Sequence, residues 1–139
     1  MKTVLMLLSL LCFAGCFTVP DEVQLSAKKS LCREQGSAII RAIAARDFPA
    51  YSKYAGENPG ISDRKEFLES CQDMEKRLGK MKKFAFVTEL RTPEVTSLVY
   101  CIDFCREGST GKKIEHQQLF QLVFGKVDGN SKLLAMRIM

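Results

Sequence analysis

The sequence predicts an α+β domain: three N-terminal helices packed on a curved, four-stranded antiparallel sheet, in a cone-like arrangement. Three observations predict it. Apolar residues recur at spacings of three, four and seven up to Gly79, and at a spacing of two after it. Residues 95–106 alternate without interruption, as a strand with two different faces does. Asp128-Gly129-Asn130, set between two alternating runs, is a hairpin turn signal.

The elements follow in order. Ser26 is a candidate N-cap for a first helix over 27–46. Leu31, Ala38, Ala42 and Ala45 lie on one stripe of it, with Cys32, Ile39 and Ile43 beside them. Gly36 weakens that helix by about 1 kcal/mol relative to Ala, which close packing against a neighbour would explain. Asp47 caps a shorter helix over 48–54, with Pro49 tolerated in its first turn. Residues 56–60, with Pro59, form a loop. The third helix starts from a cap at Ser62 or Asp63 and ends at Leu78. Asp63 is the better cap, because Glu66 follows three places on as in a capping box. Phe67, Cys71, Met74, Leu78 and Met81 form its apolar stripe, and Gly79 stops it. Lys80, Lys82 and Lys83 then suit the negative end of a helix; contact with a membrane surface is the second reading. Strands are expected at 84–91, 95–106, 113–127 and 132–139. In the second, Leu98, Tyr100, Ile102 and Phe104 point one way, and Val99, Cys101, Asp103 and Cys105 the other.

The first fifteen residues have the grammar of a signal peptide: Lys2, then an apolar run over 4–14, then small residues. That run is too short for a membrane-spanning helix, which needs about twenty residues. Phe13-Ala14-Gly15-Cys16 resembles the lipobox of bacterial lipoprotein precursors. The resemblance implies cleavage before Cys16 and a lipid on its sulfur. It places the protein in the bacterial cell envelope, in the outer membrane facing the periplasm if the cell is Gram-negative, because Phe17 rather than Asp follows the cysteine. The chain then divides into a signal peptide (1–15), a lipidated cysteine and spacer (16–25) and one domain (26–139).

Composition narrows the function. The chain has 139 residues and a formal charge of +5, one unit of it from Lys2 in the leader. The remainder is long enough for a single domain with a real core. The basic residues are spread along the chain and form no cluster with interleaved aromatics, so no nucleic-acid partner is expected. With one histidine and no CxxC pair, no metal and no cofactor is expected.

The segment Ala42-Ile43-Ala44-Ala45-Arg46-Asp47-Phe48-Pro49-Ala50-Tyr51 resembles the corner between the first two helices of nuclear transport factor 2-like domains. The likeness continues through the helix at 67–83 and the strands beyond, and covers 26–139. It implies a cone whose mouth can hold a small molecule. Some members of that superfamily are enzymes, and many only bind or pair through the sheet, so the fold leaves the function open.

Candidate chemistry sits at few positions. Asp103 is an acid in an apolar strand, a candidate general base; its plainer reading is a surface acid opposite a lysine. His116 is a candidate base or ligand near a turn, or simply a solvated hairpin histidine. Tyr51, Tyr54 and Tyr100 are candidates to orient a bound carbonyl, or are edges of the core. Four cysteines follow Cys16, and four allow three complete pairings. Cys32 with Cys71 is the expected disulfide, since both lie along helix stripes that should pack together; the alternative is two buried thiols. Cys101 and Cys105, four apart in a strand, are separated by about 13 Å and pair together only if the strand bulges or breaks; otherwise each is open to a helix cysteine or a second chain.

The leading expectation is a lipid-anchored, non-enzymatic module that binds a protein or a small ligand. The alternative is a small-molecule enzyme with Asp103 or His116 as base. A third is a homodimer through the sheet, favoured if the face of Val99 and Cys101 is exposed and apolar. The lipobox makes one expectation directly testable. Cys16→Ser should move the protein from the membrane to the soluble fraction, and a variant still bound to membranes would sink the lipidation reading.

Overall fold

The computed structural model describes residues 31–55 and 61–139. The leader, Cys16, the spacer, Ser26 and the loop at 56–60 lie outside them. Three helices, α1 (Leu31–Ala45), α2 (Phe48–Ala55) and α3 (Arg64–Leu78), precede four strands, β1 (Lys80–Arg91), β2 (Val95–Glu107), β3 (Lys113–Val127) and β4 (Asn130–Ile138). The strands form one antiparallel sheet in sequence order, the meander that short connections dictate.

Each helix begins where its chemistry allows. Asp47 accepts from the Ala50 N–H at 3.1 Å and opens α2. Asp63 accepts from the Glu66 N–H at 2.9 Å and opens α3. Glu66 reaches back to the Ser62 N–H at 2.8 Å, one residue earlier than a standard capping box requires. Gly79 ends α3 at φ 91, and a Cβ there would lie 2.3 Å from the Cys105 carbonyl oxygen. The chain therefore turns directly into β1, where Lys80 pairs with Cys105. Lys80, Lys82 and Lys83 are thus strand residues, a correction to their expected place at the helix end. The strand was hidden because a bulge between Met81 and Lys83 breaks the alternation. The last hairpin turns through Asp128 and Gly129, both at positive φ (51 and 79), the type I′ geometry that matches strand twist.

Register decides the faces. Tyr100 lies opposite Phe86 and Phe120, and Ile102 opposite Phe84. Leu98, Tyr100, Ile102, Phe104, Phe120, Leu122 and Phe124 all join the buried cluster with Ile39, Ile40, Ile43, Tyr51 and Phe67 from the helices. The concave face of the sheet therefore meets the helices, and the odd-numbered positions of β2 face outward. On α1 the buried set is Gly36, Ile39, Ile40, Ala42 and Ile43. Leu31 and Ala45, expected in the stripe, are exposed. The burial stripe is set by the isoleucines and by Gly36, because alanine gives a face little apolar area to bury.

Among the described residues, the buried core runs from Ile39 to Leu133, all of it within residues 17–139. Helix and sheet come close under Gly36, where an added Cβ would stand 2.7 Å from Tyr100 Oη and 2.8 Å from Leu98 Cδ1. Both side chains are fully buried, so neither can swing aside. Gly36→Ala should therefore lose about 1–3 kcal/mol in urea unfolding, although Ala is normally the better helix residue. Adding Tyr100→Phe should recover part of the loss, and a neutral or stabilising Gly36→Ala would refute this packing.

Candidate functional site

The concave side holds the expected tyrosines, but as core. Tyr51 is fully buried and its ring lies 4.6 Å from that of Phe67. Tyr100 is also fully buried. It donates to the Arg33 carbonyl at 3.0 Å and sits 3.3 Å from Ser37 Oγ. Burial pushes its phenol above the usual tyrosine range, more than the Ser37 hydroxyl and the nearby Arg33 pull it down. Tyr54 is half-buried beside Lys53. Large side chains thus occupy the space where a cone would hold a ligand.

Asp103 and His116 sit at register positions of opposite parity, yet both line one shallow concavity of about 370 Å³ with Lys82, Lys83 and Glu115. His116 pairs with Phe104 across the register and stacks on its ring, with centroids 5.9 Å apart, at one end of the concave side. Asp103 faces outward. Gln117 donates to it at 2.9 Å and Lys83 lies 3.2 Å from its other oxygen. The Gln117 hydrogen bond, then that from Lys83, holds the carboxyl below its usual value of 3.8. A general base working near neutral pH needs the opposite shift.

The cysteines are free thiols among the described residues. Cys32 begins α1 and lies 3.4 Å from Ser131 Oγ. Cys71 is buried near the other end of that helix, in the group that includes Ile43 and Arg46. Eleven helical residues separate Cys32 from Ile43, a rise of about 16 Å. That distance replaces the expected Cys32–Cys71 bond with two separate thiols. Burial raises the Cys71 pKa, only partly offset by Arg46, so it is a poor nucleophile. Among the described residues no three of His, Cys, Asp and Glu come together as a metal site, and no helix is long and apolar enough to cross a membrane.

Among the described residues two surface features stand out, and each extends an expectation from the sequence: the outer sheet face and the lysines that follow Gly79. The first is the outward face of the sheet. Leu119 lies opposite Cys101, Leu90 and Val123 opposite Ser97, and Ala135 opposite Val123. Leu90 is 63% exposed, Leu119 40%, and Val87, in the second β1 bulge, 51%. Leu134 covers Gly125 and is 41% exposed. Val99, whose exposure was expected to favour a sheet dimer, is buried at 8% and Cys101 is half-buried, so the open aliphatic residues of this half of the face are the others, set among Thr88, Ser97, Gln121 and Arg137; the other half carries Lys83, Asp103, Gln117, Glu115 and Lys113. The second feature is a groove of about 500 Å³ where the end of α3 meets the starts of β1 and β3, lined mainly by cations.

No protein-family model matches the sequence, and no curated protein matches it. Solved structures do. A nuclear transport factor 2-like protein of Salmonella enterica superposes with a TM-score of 0.52 at 8% identity, covering 76% of this chain and 85% of its own. A Thiobacillus denitrificans protein, provisionally described as an association domain of calcium/calmodulin-dependent protein kinase type II, gives 0.53 at 11%, covering 75% and 90%. A protein of unknown function from Shewanella oneidensis, described as of the same fold type, gives 0.48 at 15%, covering 76% and 93%. At such identities the likeness is one of fold. The chain has the nuclear transport factor 2-like fold, with three helices followed by a curved antiparallel sheet.

The Asp103 geometry predicts its titration. A carboxyl held below its unfolded pKa contributes stability above that pKa and loses the contribution as pH falls through the folded value. Carbon-detected NMR should find Asp103 titrating below 3.8, and Gln117→Leu or Lys83→Ala should bring it back up. A value above 3.8 in the unaltered protein would restore Asp103 as a candidate base.

Proposed function

We propose that this protein is a lipid-anchored, non-enzymatic module of the bacterial cell envelope that binds protein surfaces, first of all a second copy of itself, through the outer face of its sheet. One observation carries the reading: four aliphatic residues on the outer side of the sheet, Val87, Leu90, Leu119 and Leu134, are each at least 40% exposed. Solvent-exposed aliphatic residues gathered on one side of a central sheet are the usual mark of an interaction surface. The interior offers less. Catalysis or small-ligand binding calls for polar groups converging in an apolar cavity, and here Tyr51, Phe67, Tyr100 and Phe120 pack into that space. The description of the Thiobacillus neighbour as an association domain agrees with self-association. The signal-peptide grammar and the Phe13-Ala14-Gly15-Cys16 motif support the membrane address.

The face can be tested directly. Light scattering after size exclusion of residues 17–139 should give twice the monomer mass. Leu119→Lys should give a folded monomer with the far-ultraviolet circular dichroism of the unaltered protein, because the position lies on the outer face and not in the core. A clean monomer for the unaltered protein at high concentration would count decisively against pairing through the sheet.

A further inference from the structure

The basic groove lies away from the apolar half of the sheet. Lys76 closes α3, Lys80 and Lys82 open β1, Arg106 nears the end of β2 and Lys113 starts β3. These five cations come from four elements and line one concavity with the Gly79 backbone. Two acids share it. Glu75 is ion-paired with Arg46, and Glu107 is the other. Lys76 is 3.5 Å from Asp73. Among the described residues, Lys80, Lys82, Arg106 and Lys113 have no carboxylate within ion-pair distance, although Glu107 lies in the same groove. Like charges held together in this way repel, and an external anion would relieve the repulsion.

The rim of the groove indicates what kind of anion. Ile114, 40% exposed, lies directly opposite Arg106 and follows Lys112 and Lys113 at the β2–β3 hairpin. The lining contains no aromatic side chain on which a nucleic-acid base would stack. An exposed aliphatic residue opposite Arg106 and next to Lys113 fits the boundary between headgroups and acyl chains. We infer that this end of the domain is a docking surface for an anionic phospholipid bilayer. Lys80, Lys82, Arg106 and Lys113 hold the headgroup phosphates and Ile114 enters the interface.

A lipid on Cys16 is compatible with this contact. α1 begins at the opposite end of β2, where Leu31 lies near Thr92 and Val95. β2 has 13 residues, about 43 Å at strand rise. Residues 17–30 can span roughly 48 Å when extended. The domain can therefore be tethered at one end and touch the same bilayer at the other.

The test is co-sedimentation of residues 17–139, without lipid, with vesicles of phosphatidylcholine alone or mixed with phosphatidylglycerol. Binding should require phosphatidylglycerol and fall at least tenfold from low to high salt. Lys82→Glu with Lys113→Glu should lower it more than tenfold, since each basic residue near such a surface accounts for about fivefold. Lys126→Glu with Lys132→Glu, the same charge change at the far end, should leave it unaltered. Ile114→Ser should weaken it without changing its salt dependence. Equal losses from the two double variants would show a response to net charge only and overturn the proposal. So would equal binding to phosphatidylcholine, or full competition by millimolar glycerol phosphate, which would mark a site for free anions. Dimerisation through the sheet is read separately by light scattering, so either reading can fail without the other.

Discussion

The contact between Gly36 and Tyr100 sets the distance between the helices and the sheet. Without a side chain at Gly36, α1 drops onto the phenol, which donates to the Arg33 carbonyl and lies against Ser37. The same ring meets Phe84 and Phe86 edge-on, so one residue ties α1 to both β1 and β2. A buried hydroxyl without a partner would cost several kcal/mol. The helix backbone supplies that partner only at this close approach. The rest of the core follows: Ile39, Ile40 and Ile43 reach the sheet because Gly36 brings their helix down to it.

That closeness has a functional consequence. A cone that binds a small molecule must hold its helices off the sheet and leave polar groups facing the gap. Here the gap is filled by aromatic and branched residues, and the Tyr100 hydroxyl is bonded to α1. Chemistry that the sequence offered at Asp103 is directed outward by strand parity, because Tyr100, Ile102 and Phe104 take the inner positions. Once outside, the carboxyl is held by Gln117 and Lys83 in the ionised form. Among the described residues, the polar and charged groups left in reach of a partner lie on the exterior.

Much of this fold was legible in the sequence wherever a residue type dictates a backbone. Asp47 and Asp63 announce their helices, Gly79 the helix stop, and Asp128-Gly129 the hairpin. The alternation of β2 divides its residues between two faces, and the burial of Leu98, Tyr100, Ile102 and Phe104 shows which one meets the helices. Legibility failed where two patterns overlap. The bulge at Lys82 and the three lysines around it concealed the start of β1, and the bulge at Val87 concealed an apolar outer residue. On α1, small alanines on several sides left the direction of burial undecided, and the isoleucines decided it. The expected Cys32–Cys71 bond failed for a related reason. Periodicity gives the face of a residue but not its height along the helix, and the two thiols sit at opposite heights.

The exterior divides its chemistry by position along the strands. Beyond Cys101 toward the β1–β2 turn, the outward positions of β2 and β3 are apolar or uncharged: Val99, Ser97, Leu119, Gln121, Val123. Toward the β2–β3 hairpin they become Asp103, Cys105, Glu115, Gln117 and Lys113. The change falls within a single strand, so it cannot be a by-product of which element is buried. Burying the apolar half against another sheet would desolvate few charges, which is what makes such a surface favourable to cover. Extending the same contact over the hairpin half would bring Lys83, Asp103, Glu115 and Lys113 out of water, at a cost their mutual pairs do not cancel. A pairing that uses the apolar half thus leaves the hairpin end in solvent, with its lysines and Ile114 free to meet a second, charged surface.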